Sequence, residues 1–224
     1  MTERPDIAER AKRLLADVPP HVDILAAAKT RSVDEIRATI EVGIRLVGQN
    51  YVREAERAIE ALGRDAARWH MIGHLQRNKA KTAVRLFDEI ETVDSIRLAA
   101  AIDREAAKLG RVMPILIEVN SACEPQKAGV LPEEAEGLIR RVAGLSAIRI
   151  GGLMTMGPLA ADPEGIRPYF AQTKRLFDRI AALRIPNVEM RTLSMGMSNS
   201  YRVAIEEGAT RVRLGTVLFG PRGG

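Results

Sequence analysis

Short apolar runs alternate with longer amphipathic stretches along the whole chain. Each short run has the length of a buried strand, and each longer stretch repeats its apolar residues at helical spacing. The pattern predicts eight strands, at residues 23–29, 45–50, 68–73, 89–93, 114–120, 148–156, 191–196 and 211–216. Because strands that alternate strictly with helices form parallel sheets covered by those helices, we predict an α/β protein.

Seven helical stretches lie between the predicted strands, and an eighth precedes them. The clearest of the seven cover residues 95–109, 132–143 and 164–183. Capping signals mark several starts: Ser32 precedes VDEI, Asp94 precedes SIRL, and Pro132 stands in a predicted first turn. Too few residues follow the eighth strand for a helix, so an amphipathic helix at 3–16 is predicted to complete the outer ring.

Eight β/α units in one chain favour a closed barrel. An open doubly wound sheet is the alternative, but the Gly-rich dinucleotide-binding fingerprint of that fold is absent from the sequence. No shift of composition and no Pro/Gly/Ser-rich linker divides the chain. We therefore predict one domain over residues 1–224, a (β/α)8 TIM barrel.

Amino-acid composition limits the cellular compartment and the classes of partner that we expect for this protein. No apolar run approaches the ~18 residues of a membrane span, and the charged N-terminus lacks the apolar core of a secretory signal. The single cysteine, Cys123, is typical of a reducing cytoplasm. The net charge is +5, but the arginines stand beside Asp and Glu, and aromatic residues make up only 4%. We expect a cytoplasmic protein without a nucleic-acid or membrane partner.

Two loops at the end of the barrel sequence are rich in small and hydroxyl residues. Strand seven runs into LSMGMSNS (193–200), and strand eight ends in Gly215 and Thr216. Loops after strands seven and eight commonly bind phosphate in such barrels, since backbone N–H groups there can approach an anion closely. The alternative is that these glycines only make tight turns between strand and helix.

Lys29 ends the first predicted strand, which pairs with the eighth when the barrel closes. Strand periodicity places Lys29 with Leu25 and Ala27 on the inner face, and Arg213 faces inward from strand eight. A lysine beside another cation has its ammonium form disfavoured, which makes it a candidate for a Schiff base with a carbonyl compound. A phosphorylated aldehyde, such as pyridoxal 5′-phosphate (PLP), would satisfy both features. The alternative is a solvated strand terminus.

Eight motifs in collinear order resemble the YggS/PROSC family, the PLP homeostasis proteins. The resemblance runs from about residue 21 to 222 and rests on AAAKT, VGQNYVREA, WHMIGHLQRNKAK, ETVDSIRLA, VNSACEPQKAGV, GGLMTMGP, LSMGMSNSY and GATRVRLGTVLFGPR. It implies a barrel like the N-terminal domain of alanine racemase that carries PLP as an internal aldimine. SNSY (198–201) and QRNK (76–79) depart from the family pattern and put only the shape of the rim in doubt.

The resemblance also implies roles for individual residues. It assigns cofactor contacts to Lys29 as the Schiff-base lysine, Asn50 beside the cofactor, Arg213 facing the pyridine nitrogen, and Ser194, Met195, Gly215 and Thr216 as the phosphate cradle. An arginine cannot protonate the pyridine nitrogen, so carbanion chemistry is discouraged. No residue is assigned a catalytic role.

Two functions use this site. The first is intracellular PLP homeostasis, in which the protein holds PLP and delivers it to apo-enzymes, as a monomer or weak dimer. The alternative is an amino-acid racemase or related PLP enzyme, which by resemblance needs a second acid/base from an additional domain, and the sequence ends at Gly224. Tyr51 and Tyr201 are predicted to open helices beside the mouth, and Tyr201 is the one of interest as a substitute acid/base. Lys127 could reach the mouth or remain solvated.

Other chemistry is less favoured by the sequence. A barrel enzyme acting on a sugar phosphate would need carboxylates at the strand ends, and the candidates Glu118 and Asp94 are interpreted as structural. His70 and His74 have i,i+4 spacing, but they span a strand end and a loop rather than one helical face. With no third ligand evident, no metal is predicted.

Overall fold

The computed structural model describes residues 4–158 and 162–221. Eight parallel strands form a closed barrel in which each strand pairs with the next and β8 pairs with β1. The strands are β1 (Asp23–Ala27), β2 (Leu46–Gln49), β3 (Arg68–Met71), β4 (Glu89–Val93), β5 (Met113–Val119), β6 (Ile148–Thr155), β7 (Val188–Ser194) and β8 (Arg211–Leu214). The predicted (β/α)8 barrel is therefore confirmed.

Helices cover the outside of the barrel. They are α1 (Arg4–Asp17), α2 (Val33–Val42), α3 (Val52–Leu62), α4 (Ala80–Leu86), α5 (Ile96–Lys108), α6 (Ala135–Ala143), α7 (Arg167–Ala182), α8 (Tyr201–Glu206) and α9 (Thr216–Phe219). α1 packs beside α2 and α9, so it lies where the ring needs a helix. Glu3, the first residue predicted for that helix, is outside the described residues.

Three predictions about helix ends are wrong. The N-cap of α5 is Ser95 rather than Asp94, because the Ser95 hydroxyl accepts a hydrogen bond from Leu98 N. α6 begins at Ala135, and Pro132 lies in the turn before it. A one-turn helix does follow β8, because Phe219 N donates to Gly215 O. The cap at Ser32 is confirmed, with Glu35 completing a capping box.

The apolar core lies between the barrel and the helices. On β1, Ile24 and Ala26 belong to this core, while Leu25 faces inward and lies beside Gly48 of β2. The alternation predicted for strand one is thus confirmed, and parallel strands covered on the outside acquire two buried faces. Among the described residues, no helix has both the length and the apolar character that a membrane crossing requires.

Polar and charged side chains occupy part of the barrel interior, where branched aliphatic residues usually dominate. These interior side chains include His70, Glu89, Glu91, Ser194, Arg211 and Arg213, all less than 9% exposed. Arg211 and Arg213 point inward because β8 alternates them with Val212 and Leu214, which pack in the outer core. The barrel interior is therefore held together partly by ionic hydrogen bonds.

Candidate functional site

Lys29 lies two residues beyond the end of β1, at the carboxyl-terminal mouth of the barrel. The strand stops at Ala27, and the chain turns sharply at Thr30, whose φ is +62°. The Lys29 side chain is half-buried, with Nζ 5.5 Å from the ring centroid of Tyr51, at the start of α3. A cation over an aromatic face is stabilised there, so Tyr51 favours this position of the Lys29 amine.

A cavity of about 410 Å³ opens beside Lys29 at the mouth. This volume lies in the range of about 300–1,000 Å³ that is typical of small-molecule sites. Five of the seven predicted site residues line it: Lys29, Asn50, Arg213, Gly215 and Thr216. The fold thus brings residues from β1, β2 and β8 together, as expected from closure between the first and last strands.

The other two predicted residues, Ser194 and Met195, do not line this cavity. Ser194 is the last residue of β7, and its fully buried hydroxyl points into the barrel interior. Met195 packs in the outer core, and its N–H donates to Arg211 O. Strand alternation turns Ser194 inward and Met195 outward, so neither side chain borders this cavity.

Sequence reasoning missed Ser198 as a cavity residue. The Ser198 hydroxyl oxygen accepts hydrogen bonds from Gly215 N and Val217 N, each at 3.2 Å. Two backbone N–H groups therefore converge on one oxygen at the cavity wall, which is the donor arrangement that a phosphate oxygen requires. The only sequence signal was its membership in the serine-rich loop after strand seven.

Arg213 presents a buried guanidinium to the floor of the cavity. Its Nη1 donates to Ser194 Oγ at 2.8 Å, and its Nη2 donates to Thr155 O at 2.8 Å. Burial lowers the pKa of this guanidinium, while the charges of Glu91 and Glu118 oppose that shift. The two terminal nitrogens have partners on β7 and β6, so the side chain is held in one orientation.

Glu91 is the centre of the charge network below Arg213. Its Oε2 accepts from Ser194 Oγ at 2.6 Å, and its Oε1 accepts from Arg211 Nη1 at 2.9 Å and lies 3.0 Å from His70 Nδ1. Burial alone would raise its pKa, but His70, Arg211 and Arg213 hold the pKa at about 2. Glu91 is thus a buried carboxylate that stays ionised because the neighbouring positive charges and hydrogen bonds stabilise its charge.

Oxygen and nitrogen atoms of His70, Glu89 and Glu91 lie within 4.8 Å of one another, a spacing compatible with metal ligation. Arg211 donates from Nη1 to Glu89 at 3.2 Å as well as to Glu91, so its guanidinium supplies a positive charge at the same carboxylates. The sequence did not reveal this cluster, because its members come from two strands. His74 lies in the loop after β3, away from this cluster.

A second cavity, of about 270 Å³, adjoins the first at the ends of β5 and β6. Met156 and Met197 line both cavities and separate them. Lys127 reaches this part of the mouth, where Nζ donates to Gly157 O at 3.0 Å and pairs with Glu124. Glu118, which the sequence analysis interpreted as structural, lines the second cavity.

Tyr201 does not reach either cavity. Its hydroxyl donates to Asp17 Oδ2 at 2.7 Å, at the carboxyl-terminal end of α1. Tyr201 opens α8 directly after the loop at the mouth, as predicted, but its side chain points toward α1 rather than into the mouth. Cys123 is exposed in the loop after β5.

Together, the fold and the site define a class of protein: a parallel (β/α)8 barrel with a lysine amine and two convergent backbone N–H groups at its carboxyl-terminal mouth. The family model described as alanine racemase, N-terminal domain, matches residues 5–223, and the chain belongs to this family. Within it, the predicted resemblance to the PLP homeostasis proteins is confirmed by the relatives described next.

Two relatives, both named pyridoxal phosphate homeostasis protein, are similar over nearly their whole lengths. The Aquifex aeolicus protein is 41% identical over 199 residues, covering 89% of this chain and 86% of the relative. The Synechocystis protein is 36% identical over 210 residues, covering 93% of this chain and 95% of the relative.

Solved structures agree with this assignment. PipY of Synechococcus elongatus, in a structure with PLP bound, superposes with a TM-score of 0.88 at 36% identity, over 96% of this chain and all of PipY. Alanine racemase of Clostridium difficile superposes with a TM-score of 0.79 at 15% identity, over this whole chain and 61% of that enzyme. At that identity, the second likeness shows the fold alone.

Proposed function

We propose that this protein serves PLP homeostasis: it binds PLP at the mouth of the barrel through Lys29 and delivers it to apo-enzymes. The observation that carries the proposal is one cavity that combines a lysine amine with two backbone N–H groups converging on a single oxygen. An aldehyde and a phosphate on one small molecule match these two features. The names of the relatives and the PLP in PipY support the same ligand.

Each cavity residue has a defined task in this proposal. The Lys29 amine condenses with the aldehyde of PLP to a Schiff base, and one water is released. A phosphate oxygen takes the place of Ser198 Oγ as the acceptor of the Gly215 and Val217 N–H groups, and the Ser198 and Thr216 hydroxyls donate to the phosphate. Asn50 borders the ring from β2, and Arg213 faces the pyridine nitrogen. When bound, PLP supplies a reactive carbonyl and an electron-accepting ring.

Arg213 favours storage over catalysis. A guanidinium remains protonated near neutral pH and donates hydrogen bonds only, so it cannot transfer a proton to the pyridine nitrogen. The ring is then a weaker electron sink, which slows proton abstraction from a bound amino acid. A racemase remains the alternative function, and we propose that its turnover by this chain is weak at most.

Borohydride reduction tests the binding proposal. The PLP-loaded protein should be yellow, and reduction followed by peptide mass spectrometry should locate a pyridoxyl group on Lys29. Lys29→Met should lose the absorption band and the adduct, whereas Lys79→Met, at a site outside both cavities, should keep them. An adduct confined to another lysine would exclude Lys29 as the attachment site.

Delivery is tested by mixing the PLP-loaded protein with a PLP-free apo-enzyme, with and without a phosphatase that destroys free PLP. Direct delivery predicts that apo-enzyme activity returns even when the phosphatase is present. Loss of all reactivation under phosphatase would mean that the protein only releases PLP to solvent. We further propose that the protein works in the cytoplasm as a monomer or weak dimer, built as one domain.

A further inference from the structure

Glu118 on β5 is a buried carboxylate without a hydrogen-bond partner among residues 4–158 and 162–221. The residue is only 7% exposed, and it lines the second cavity of about 270 Å³. The Glu118 oxygens are not among the fully buried unpaired atoms of the described residues, so they open into the cavity, where a bound donor would stabilise the partly desolvated carboxylate.

The charges of Asp94 and Arg213 act on this carboxylate, and Lys127 lines the same cavity. Asp94 follows β4, Arg213 lies on β8, and Lys127 comes from the loop after β5. Burial raises the pKa of Glu118 to about 7, the charge of Asp94 raises it further, and Arg213 opposes the shift. Glu118 therefore changes its charge near neutral pH.

The two cations nearby are already engaged. Arg213 donates to Ser194 and to Thr155 O, and Lys127 donates to Gly157 O and pairs with Glu124. The unsatisfied group of this cavity is thus an acceptor, and its complement is a cationic donor. The remaining wall includes Val119, Met156 and Met197, which suit an aliphatic body.

We propose that the second cavity is a binding subsite for a small aliphatic ammonium compound, with Glu118 as the acceptor of its N–H donors. The subsite adjoins the Lys29 cavity across Met156 and Met197, so a bound amine would lie next to the PLP site. The proposal does not depend on PLP binding, because Glu118 is outside the lining of the Lys29 cavity.

Calorimetric titration of the PLP-free protein with three probes of one size tests the charge requirement. n-Butylammonium should bind, 1-butanol should bind at least about tenfold more weakly, and butyrate should not bind, since hydrogen bonds to charged groups contribute more than neutral ones. Equal affinity for the ammonium and the alcohol would overturn the proposal.

The variant Glu118→Gln tests the residue itself, because it keeps the size and removes the charge. Butylammonium affinity should fall about tenfold in this variant, whereas 1-butanol affinity should not change. Glu60→Gln, at an exposed position on α3, is the matched control and should bind like the wild type. An unchanged butylammonium affinity in Glu118→Gln would overturn the assignment.

The pH dependence gives a second readout. Because Glu118 ionises as the pH rises through about 7, butylammonium affinity of the wild type should increase from pH 6 to pH 8 and level off above. Glu118→Gln should show no such rise. Urea unfolding gives an independent check of folding. At pH 8 the wild type is destabilised by the ionised, partly buried Glu118, so Glu118→Gln should unfold at a higher urea concentration than the wild type.

The PLP-loaded protein shows whether the subsite is separate from the cofactor site. N,N-dimethylbutylamine cannot form a Schiff base, so its binding reports the subsite alone. Its affinity should be unchanged, within about twofold, after PLP loading; abolished binding would assign the second cavity to the cofactor and overturn the proposal. If Lys29 took up no PLP but butylammonium still required Glu118, the proposed function would fail and this inference would stand.

Discussion

The Arg213 guanidinium is linked to the Glu91 carboxylate through the hydroxyl of Ser194. Because the guanidinium donates to Ser194 Oγ, the hydroxyl proton of Ser194 is free to point at Glu91. The cation at the cavity floor and the carboxylate beneath it are thus connected by two hydrogen bonds. Within this network, the buried His70 Nε2 and Arg211 Nε have no hydrogen-bond partner among the described residues, so its stability depends on the contacts to Glu91.

At the residue scale, we predict that Glu91→Gln destabilises the fold. Removing one partner of a buried ion pair costs about 3–5 kcal/mol; here Arg211 would lose one of its buried carboxylate partners, and His70 Nδ1 would lose the carboxylate 3.0 Å away. Urea unfolding at pH 7 measures the change. Glu60→Gln is the control and should stay within about 0.5 kcal/mol of the wild type; an equally small effect of Glu91→Gln would contradict the role given to the network.

The pH dependence of this difference follows from the lowered pKa of Glu91, about 2 in the fold. A carboxyl with a lowered pKa stabilises the fold above its unfolded pKa and loses that contribution as the pH falls through the folded pKa. The stability difference between wild type and Glu91→Gln should therefore be constant from pH 7 to about 5 and narrow between about pH 4.5 and 2.

Residue roles were predictable where strand alternation decides them. The period of two placed Lys29 and Arg213 on the inner side, and both line the cavity. It could not distinguish Ser194 from Ser198, because that depends on the path of the loop after β7. The conformation of that loop, with φ of +89° at Gly196, brings Ser198 against Gly215 and Val217.

At the scale of elements, the position of β6 depends on one glycine. Gly152 has φ of +153°, and a Cβ added there would lie 1.8 Å from Thr192 O on β7. The pairing of β6 with β7 shifts register between Ile150 and Gly152. β6 carries Thr155, whose carbonyl holds Arg213, so this approach of two backbones helps to position the cavity floor.

We predict that Gly152→Ala destabilises the fold by at least about 2 kcal/mol, because the strands must separate to admit the methyl group. Gly137→Ala on α6 is the matched control: nothing lies within 4 Å of the added Cβ, and alanine should stabilise this helix by about 0.5–1 kcal/mol. Thermal and urea unfolding measure both. Equal effects of the two substitutions would contradict this account of β6.

The sequence located all eight strands but placed their ends less well. Strand one was predicted to reach Lys29, whereas β1 stops at Ala27, and strand seven begins at Val188, three residues before its predicted start. Local apolar patterns report burial, but hydrogen bonds to the neighbouring strands decide where a strand ends. The same reason explains the change of N-cap from Asp94 to Ser95.

At the scale of the whole molecule, the two ends of the described chain meet on one side of the barrel. Arg10 on α1 donates from Nε to Leu218 O at 2.9 Å and from Nη2 to Phe219 O at 3.1 Å. These carbonyls belong to α9, which begins at Thr216 on the cavity wall. The N-terminal helix thus supports the segment that forms part of the cavity wall.

We predict that Arg10→Ala lowers the free energy of unfolding by about 1–3 kcal/mol, because it leaves carbonyls at α9 without their donors. Hydrogen exchange should also become faster at residues 216–220. Arg13→Ala is the control, since that side chain is 79% exposed and pairs only with Glu9 among the described residues. Identical exchange in the two variants would show that α1 does not support α9.

The sequence by itself determined the β/α alternation, the barrel, the inward direction of Lys29 and Arg213, and the family resemblance. All of these follow from periodicity and motif, which are local properties of the chain. Only the tertiary structure revealed the network around Glu91, the contacts of Ser198 with Gly215 and Val217, and a Glu118 carboxylate that has no side-chain partner in the described part of the chain. Those features join residues from strands far apart in sequence, and their chemistry depends on burial and distance, which exist only after the barrel has closed.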